Sequence, residues 1–214
     1  MPEPAGAPPV VIKLGGSVIT RKNGPPRIRP KVLDRLAAEV RGSGRLRIVL
    51  LHGAGSFGHP GARRFRLAES PGPGDGVGRA RGAAIVSTEV RTLHRSVLRA
   101  LLDAGLNPWS VPPATISENL AGRPGSIRTD PFRWALEGGL LPVSFGDVVP
   151  DREWGVSILS ADSIAVALAR DLPARRVVFV SDVDGVLTSP PGSPGRPRIF
   201  PRVTPEVLER LVPS

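Results

Sequence analysis

The sequence predicts an α/β fold, a three-layer α/β/α sandwich with a mostly parallel central sheet. Three observations carry this. Short apolar runs alternate with segments whose apolar residues recur at helical spacing. Several of these runs end in glycine, at Gly15-Gly16, at Gly53 to Gly58, at Gly146 and at Gly185. The 214 residues suffice for one sizeable core, with no internal repeat and no clear linker to divide them.

Residues 1–9, MPEPAGAPP, read as a disordered tail; they have neither the basic start nor the apolar run of a signal peptide. Residues 10–14, VVIKL, are a buried strand ending at Gly15-Gly16-Ser17. Residues 30–41 form an amphipathic helix, with Pro30 at its start and Gly42 just past its end. RLRIVLL, 45–51, is a second strand leading into the loop HGAGSFGHP. Residues 70–78 are too rich in glycine and proline to be regular. A long helix covers about 80–104, with Gly105 at its C-terminal cap. LNPWSVPP holds a short strand, and residues 138–149, GGLLPVSFGDVV, make another that enters Gly146-Asp147. Residues 160–172 are a helix capped by Ser160, with Asp162 in its first turn. Residues 175–187 are a strand running into an acidic loop, 189–197 are a surface loop, and PEVLERLV begins a last helix.

Composition narrows the function. With no cysteine, the chain can hold no disulfide, thiol nucleophile or thiolate metal site, and a reducing, cytoplasmic setting is expected. No apolar run approaches the roughly 18 residues of a membrane span. The net charge of +10 invites nucleic acid, but the basic residues are scattered and there is no tyrosine for base stacking, so no nucleic-acid partner is expected. A basic field still draws in small anions. Only Lys13, Lys22 and Lys31 are lysines, against 26 arginines. A lysine kept in such a chain points to a need for a compact ammonium, and two of the three flank one glycine pair in KLGGSVITRK.

Glycine after a strand lets backbone N–H groups approach an anion. The segment HGAGSFGH also spells G-x-G-x-x-G, but it follows the second strand, and the region about 20 residues on is a Gly/Pro loop rather than a strand ending in an acid, which disfavours a dinucleotide site. VVFVSDVDGVLT resembles a phosphatase motif with Asp182 as nucleophile and Asp184 as acid/base; that motif opens its domain, and only 26 residues follow here. G-x-x-x-x-G-K-[ST] does not occur. Two strand–glycine loops within the first 60 residues favour a phosphate cradle, with His52 as support at the strand end and His94 as a packing or surface residue.

Taken in order, KLGGSVITRK, HGAGSFGHP, PVSFGDVVPD, SILSADSIAVALA and DVDGVL resemble the amino acid kinase superfamily and, within it, the isopentenyl phosphate kinases; G-S-F-G-H-P narrows the likeness to these and the fosfomycin kinases. The resemblance implies the amino acid kinase fold and an ATP- and Mg²⁺-dependent transfer to a small phosphate. It implies catalytic roles for Lys13, Lys22, His59 and Asp162, with Asp162 orienting the lysines. Ala54, Gly55, Ser56, His59 and Gly155 would bind the acceptor. Lys13, Gly15, Gly16, Ser17, Gly55, Asp182 and Gly185 would meet the nucleotide. No protein metal ligand is assigned, and a homodimer is expected from the family alone.

The sequence departs from the family pattern in three places. Ala54 stands where H-G-G-G-S is usual, and Ser163 stands in place of the second acid of S-G-D-D. The family continues past D-V-D-G-V to a helix, a T-G-G-M segment and a further lysine, whereas this chain ends at Ser214. One kinase domain over 10–214 is therefore expected, acceptor-binding over about 10–145 and nucleotide-binding over about 146–214, with the C-terminal part incomplete. Three functions fit: phosphorylation of isopentenyl phosphate, phosphorylation of fosfomycin or another small phosphate or phosphonate, and ligand binding without turnover.

Overall fold

The computed structural model describes residues 7–22, 24–44, 47–189, 197–204 and 206–207. The expected disordered tail lies outside the described residues over 1–6, as does nearly all of the expected last helix. The chain divides into two units, Met1–Val180 and Ser181–Ser214.

The first unit is built on a five-stranded parallel sheet. Its strands are β1 (Val10–Leu14), β2 (Ile48–His52), β3 (Pro108–Ser110), β6 (Leu141–Phe145) and β9 (Arg176–Val180), in the order β3-β6-β2-β1-β9. The central strands are mostly apolar because both faces are covered, with Lys13 and His52 near their ends. Side chains alternate between two layers. Leu14, Ile48 and Leu50 pack with α2 (Pro30–Gly42) and α4 (Gly76–Asp103). Val11, Val49 and Leu51 pack with Phe132 of α5 (Asp130–Glu137) and with Ile164 and Leu168 of α6 (Ala161–Asp171). This is the expected sandwich.

Local chemistry sets the helix ends. Pro30 occupies the first helical position of α2, where its missing N–H costs nothing. The α4 helix ends where Gly105, at φ +78°, donates to Leu102 O and Leu106 donates to Leu101 O, a pairing that satisfies the last carbonyls. The Ser160 hydroxyl accepts from Ser163 N at 3.0 Å and caps α6.

The expected single strand over 138–149 is corrected to two. Gly146 N donates to His52 O at 3.0 Å, and the chain turns there from β6 into β7 (Asp147–Asp151). A Cβ on Gly146 would stand 3.2 Å from Ala161 N, so the turn is tight against α6. The β7 strand belongs to a second sheet, ordered β5-β4-β7-β8, with β4 (Ser117–Leu120), β5 (Arg123–Ile127) and β8 (Gly155–Leu159). The strands β4, β5 and β8, and the helix α5, were not anticipated from the sequence. Buried Arg79 of α4 ties this sheet to the loop before it, donating to Arg66 O, Glu69 O and Val156 O.

In the second unit, Leu187 bridges antiparallel to Ile199, and Phe200 N donates to Val186 O. Among the described residues no helix is long and apolar enough to cross a membrane.

Asp151 organises the second sheet. Its carboxylate accepts from the N–H groups of Ala121, Gly122, Glu153 and Trp154 and from the Ser157 hydroxyl, at 2.7–3.1 Å. Burial pushes its pKa up, but the donors outweigh burial and bring it down to about 2. The folded value lies below the unfolded value, so the folded state binds fewer protons, and the stabilisation is present above about pH 4 and lost as pH falls toward 2. Asp151→Asn should cost about 2–3 kcal/mol in urea unfolding at pH 6. It should also flatten the fall of stability between about pH 4 and pH 2.

Candidate active site

The strands β1 and β2 are parallel neighbours, with Lys13 opposite Leu51 and Leu14 opposite His52. Their following loops therefore leave the sheet at the same edge, where ligands of open α/β sheets sit. The loops touch backbone to backbone. A Cβ on Gly16 would land on Gly55 N, and one on Gly53 would stand 2.8 Å from Gly16 N. Gly55 also needs its φ of +52°, which glycine adopts without strain. Thr20, 1% exposed, stitches the loops together: its hydroxyl donates to Gly16 O at 2.7 Å and accepts from Ser56 N at 3.1 Å.

A cleft of about 110 Å³ opens beside this contact. Its polar end holds Lys13, Gly16, Gly53, Ala54, His59 and Asp162. Its other wall is apolar, with Ala62 of α3 (His59–Arg64), Val86 and Val90 of α4, and Ile158 of β8. The N–H groups of Ala54 and Gly55 have no acceptor among the described residues. A larger groove of about 1020 Å³ lies between α2 and α4, but none of these glycines lines it. The chemistry-bearing residues converge on the small cleft.

The charges are paired. The Lys13 ammonium, held at the end of β1, lies 2.9 Å from Asp162 in the first turn of α6. Asp147 opens β7 on the cleft wall with its side chain wholly buried. Burial pushes its pKa up to about 6, against the pull of Arg91 at 3.1 Å, Val148 N and the Ser87 hydroxyl. Its ion pair with Arg91 offsets much of the charge that this carboxylate would otherwise turn on a bound anion.

Of the residues singled out in the sequence, Lys13, Gly16, Ala54, His59 and Asp162 line one cleft. Gly55 and Ser56 sit immediately behind it in the short 3₁₀ turn Gly55–Phe57, and Ser17 in the single turn of α1 (Gly16–Ile19). Gly15 N donates to Val180 O at 2.7 Å, so this amide ties β1 to β9 rather than facing an anion. Lys22 is on an exposed loop and does not line the cleft. Gly155 does not join the cleft: it begins β8 at the β7–β8 turn, with φ +71°, while Leu159 at the other end of the strand lines the cleft. Asp182 and Gly185 belong to the second unit. Thr20 and Asp147 were not singled out. Thr20 lay inside KLGGSVITRK, and Asp147 followed a strand-end glycine, so both stood beside recognised signals.

Comparison with known proteins agrees with the fold. The amino acid kinase family matches residues 8–213. The isopentenyl phosphate kinase of Methanothermobacter thermautotrophicus is 37% identical over 186 residues, which cover 85% of this chain and 70% of that protein. That of Thermoplasma acidophilum is 31% identical, over 85% and 70% of the two chains. A crystal structure of an isopentenyl phosphate kinase superposes with a TM-score of 0.84 at 36% identity, covering 89% of this chain and 80% of the other. Fold and sequence thus agree, and the chain belongs to the amino acid kinase family.

Proposed function

We propose that this protein transfers the γ-phosphoryl group of ATP to isopentenyl phosphate, giving isopentenyl diphosphate and ADP for isoprenoid synthesis. The observation that carries this is the cleft itself. A cradle of backbone N–H groups, a lysine and a histidine runs directly into an apolar wall of Ala62, Val86, Val90 and Ile158. An acceptor with a phosphate at one end and a short hydrocarbon at the other matches both halves. A small polar phosphonate such as fosfomycin would leave the apolar wall unused.

The acceptor needs no general base. A phosphate monoester has a second pKa of about 6, so its oxygen is already ionised near neutral pH. That oxygen attacks the γ-phosphorus in line, and the bond to the β–γ bridging oxygen breaks with ADP leaving. Catalysis then requires alignment of two anions and neutralisation of their charge. Lys13, oriented by Asp162 at 2.9 Å, supplies a point charge between the two phosphates. The Ala54 N–H and His59 bind the acceptor phosphate, with Gly55 and Ser56 shaping the turn that carries them. Gly16 and Ser17 face the nucleotide phosphates, with Gly15 shaping that turn. We assign Lys22 as the second catalytic lysine, Asp182 and Gly185 to the nucleotide, residues 10–145 to the acceptor half and 146–214 to the nucleotide half. Mg²⁺ fits as the counter-ion of ATP, offsetting charge on its phosphates: no group of three or more potential protein ligands occurs among the described residues, so phosphates and water would supply most of its ligands. A cytoplasmic homodimer completes the reading.

The deciding measurement is ATP-to-ADP turnover by this 214-residue chain with isopentenyl phosphate and fosfomycin offered in parallel. Turnover of isopentenyl phosphate is expected; turnover of fosfomycin alone would move the acceptor class, and none with either from a folded chain would favour a binding protein. Lys13→Met should lower kcat by about 10²–10³ with little change in melting temperature. His59→Ala should act mainly on the acceptor, raising its KM by about tenfold. Thr20→Val removes the hydroxyl that joins the two loops, leaving Ser56 N without its acceptor while Gly16 O keeps the Thr20 N–H, and should cost about 1–3 kcal/mol in urea unfolding.

A further inference from the structure

Behind the cradle lies a polar chain that the reaction does not use directly. His52 ends β2 and is wholly buried, and His94 of α4 is 5% exposed. Their rings stack at 5.3 Å, and Phe145 packs against both. His52 Nδ1 lies 3.1 Å from Gly53 O, His52 Nε2 lies 3.0 Å from His94 Nδ1, and His94 Nε2 lies 2.8 Å from the Ser110 hydroxyl of β3.

The protonation pattern of this chain is determined from one end. A carbonyl only accepts, so His52 Nδ1 carries the hydrogen that reaches Gly53 O. In a neutral ring Nε2 is then bare and accepts from His94 Nδ1–H. His94 Nε2 is bare in turn and accepts from the Ser110 hydroxyl. Burial keeps both rings neutral. It lowers His52 to about 4, against the bond to Gly53, and His94 to about 3, with His52 and Arg91 adding to the effect.

The Gly53–Ala54 peptide is planar and trans, so its C=O and N–H point in opposite directions. Drawing Gly53 O toward His52 turns the Ala54 N–H away from the imidazole. His52 lies behind the loop and does not line the cleft, whereas Gly53 and Ala54 do. We propose that His52, His94 and Ser110 are positioning residues of the acceptor cradle: they fix the Gly53 carbonyl and thereby aim the Ala54 N–H at the acceptor phosphate. The chain ends on a carbonyl, which has no proton to pass on, so it orients the loop and does not conduct protons. This rests on the cleft being a phosphate cradle.

Two side chains separate the bond to the loop from the bond to His94. An asparagine at 52 can offer an N–H where Nδ1 stands but falls short of His94; a glutamine reaches toward His94 but offers no N–H at the Nδ1 position. His52→Gln should raise KM for isopentenyl phosphate by about tenfold while KM for ATP stays within about twofold, and His52→Asn should stay within about threefold on both. Ser110→Ala, a milder change at the far end, should move KM for isopentenyl phosphate in the same direction as His52→Gln. Equal KM values in the Asn and Gln variants, with only melting temperature changed, would overturn the proposal. Ring ¹⁵N resonances of the wild-type protein should report Nδ1–H for both histidines at pH 7; an Nε2–H tautomer at His52 overturns it without any variant. Should the wild type turn over no acceptor, the Ala54 amide resonance titrated with inorganic phosphate decides. A response in wild type and His52→Asn that is lost in His52→Gln sustains the positioning role and removes only the substrate reading. No response in the wild type overturns both.

Discussion

The site depends on one contact, the backbone-to-backbone closure of the loops after β1 and β2. Gly16 meets Gly53 and Gly55 backbone to backbone, with the Thr20 hydroxyl beside Gly55 at the seam. Parallel pairing of β1 with β2 brings the loops to one edge, but pairing alone leaves them separated by whatever side chains they carry. Removing those side chains lets the loops merge into one surface of N–H donors. The cost is conformational entropy and backbone left without side-chain cover. Thr20 offsets part of it by bonding to both loops, and the sheet holds the rest through Gly53 N to Leu14 O and Gly146 N to His52 O.

The electrostatics follow from that closure. A surface of backbone donors carries partial positive charge, and Lys13, only 16% exposed, adds a full one. Asp162 compensates from the solvent side, being 54% exposed, so an incoming phosphate can share the lysine without having to displace a deeply buried ion pair. The other acid on the cleft wall, Asp147, is balanced differently: its side chain is buried, its pKa is pushed up to about 6, and it is tied to Arg91. One carboxylate is paired with the lysine, and the other with an arginine.

Much of this was legible in the sequence because it is local. The strands β1 and β2 are continuous apolar runs, since both of their faces are covered, and α6 carries its own start signal in Ser160. KLGGS and HGAGS each put chemistry at a strand end. The second sheet was not legible. Its strands SENL and RPGSI have no clear alternation, and what holds them is Asp151, whose donors lie up to 30 residues away. The His52–His94 pair spans 42 residues and joins a strand end to the middle of a helix, a juxtaposition that no periodicity encodes. Gly155, which the resemblance implied at the acceptor, begins β8 at the β7–β8 turn, and the extended strand separates it from the cleft at about 3.3 Å per residue.

The alanine at position 54 shows how the cradle tolerates change. Ala54 has φ −74° and ψ −26°, a conformation open to any residue, so glycine is not required there. Its neighbours are in a different position, since Gly53 and Gly55 face the opposing backbone and Gly55 has a positive φ. Three successive residues of one loop thus carry unequal constraints, set by what each Cβ would meet. The methyl group of Ala54 has a consequence elsewhere: a Cβ on Gly58 would collide with it and crowd Val90 at 3.2 Å. Alanine at 54 therefore makes glycine at 58 obligatory, and glycine at 54 would relax that demand only as far as Val90 allows. The donor surface depends on backbone direction rather than side-chain identity, and so it survives a substitution that adds volume away from the facing loop.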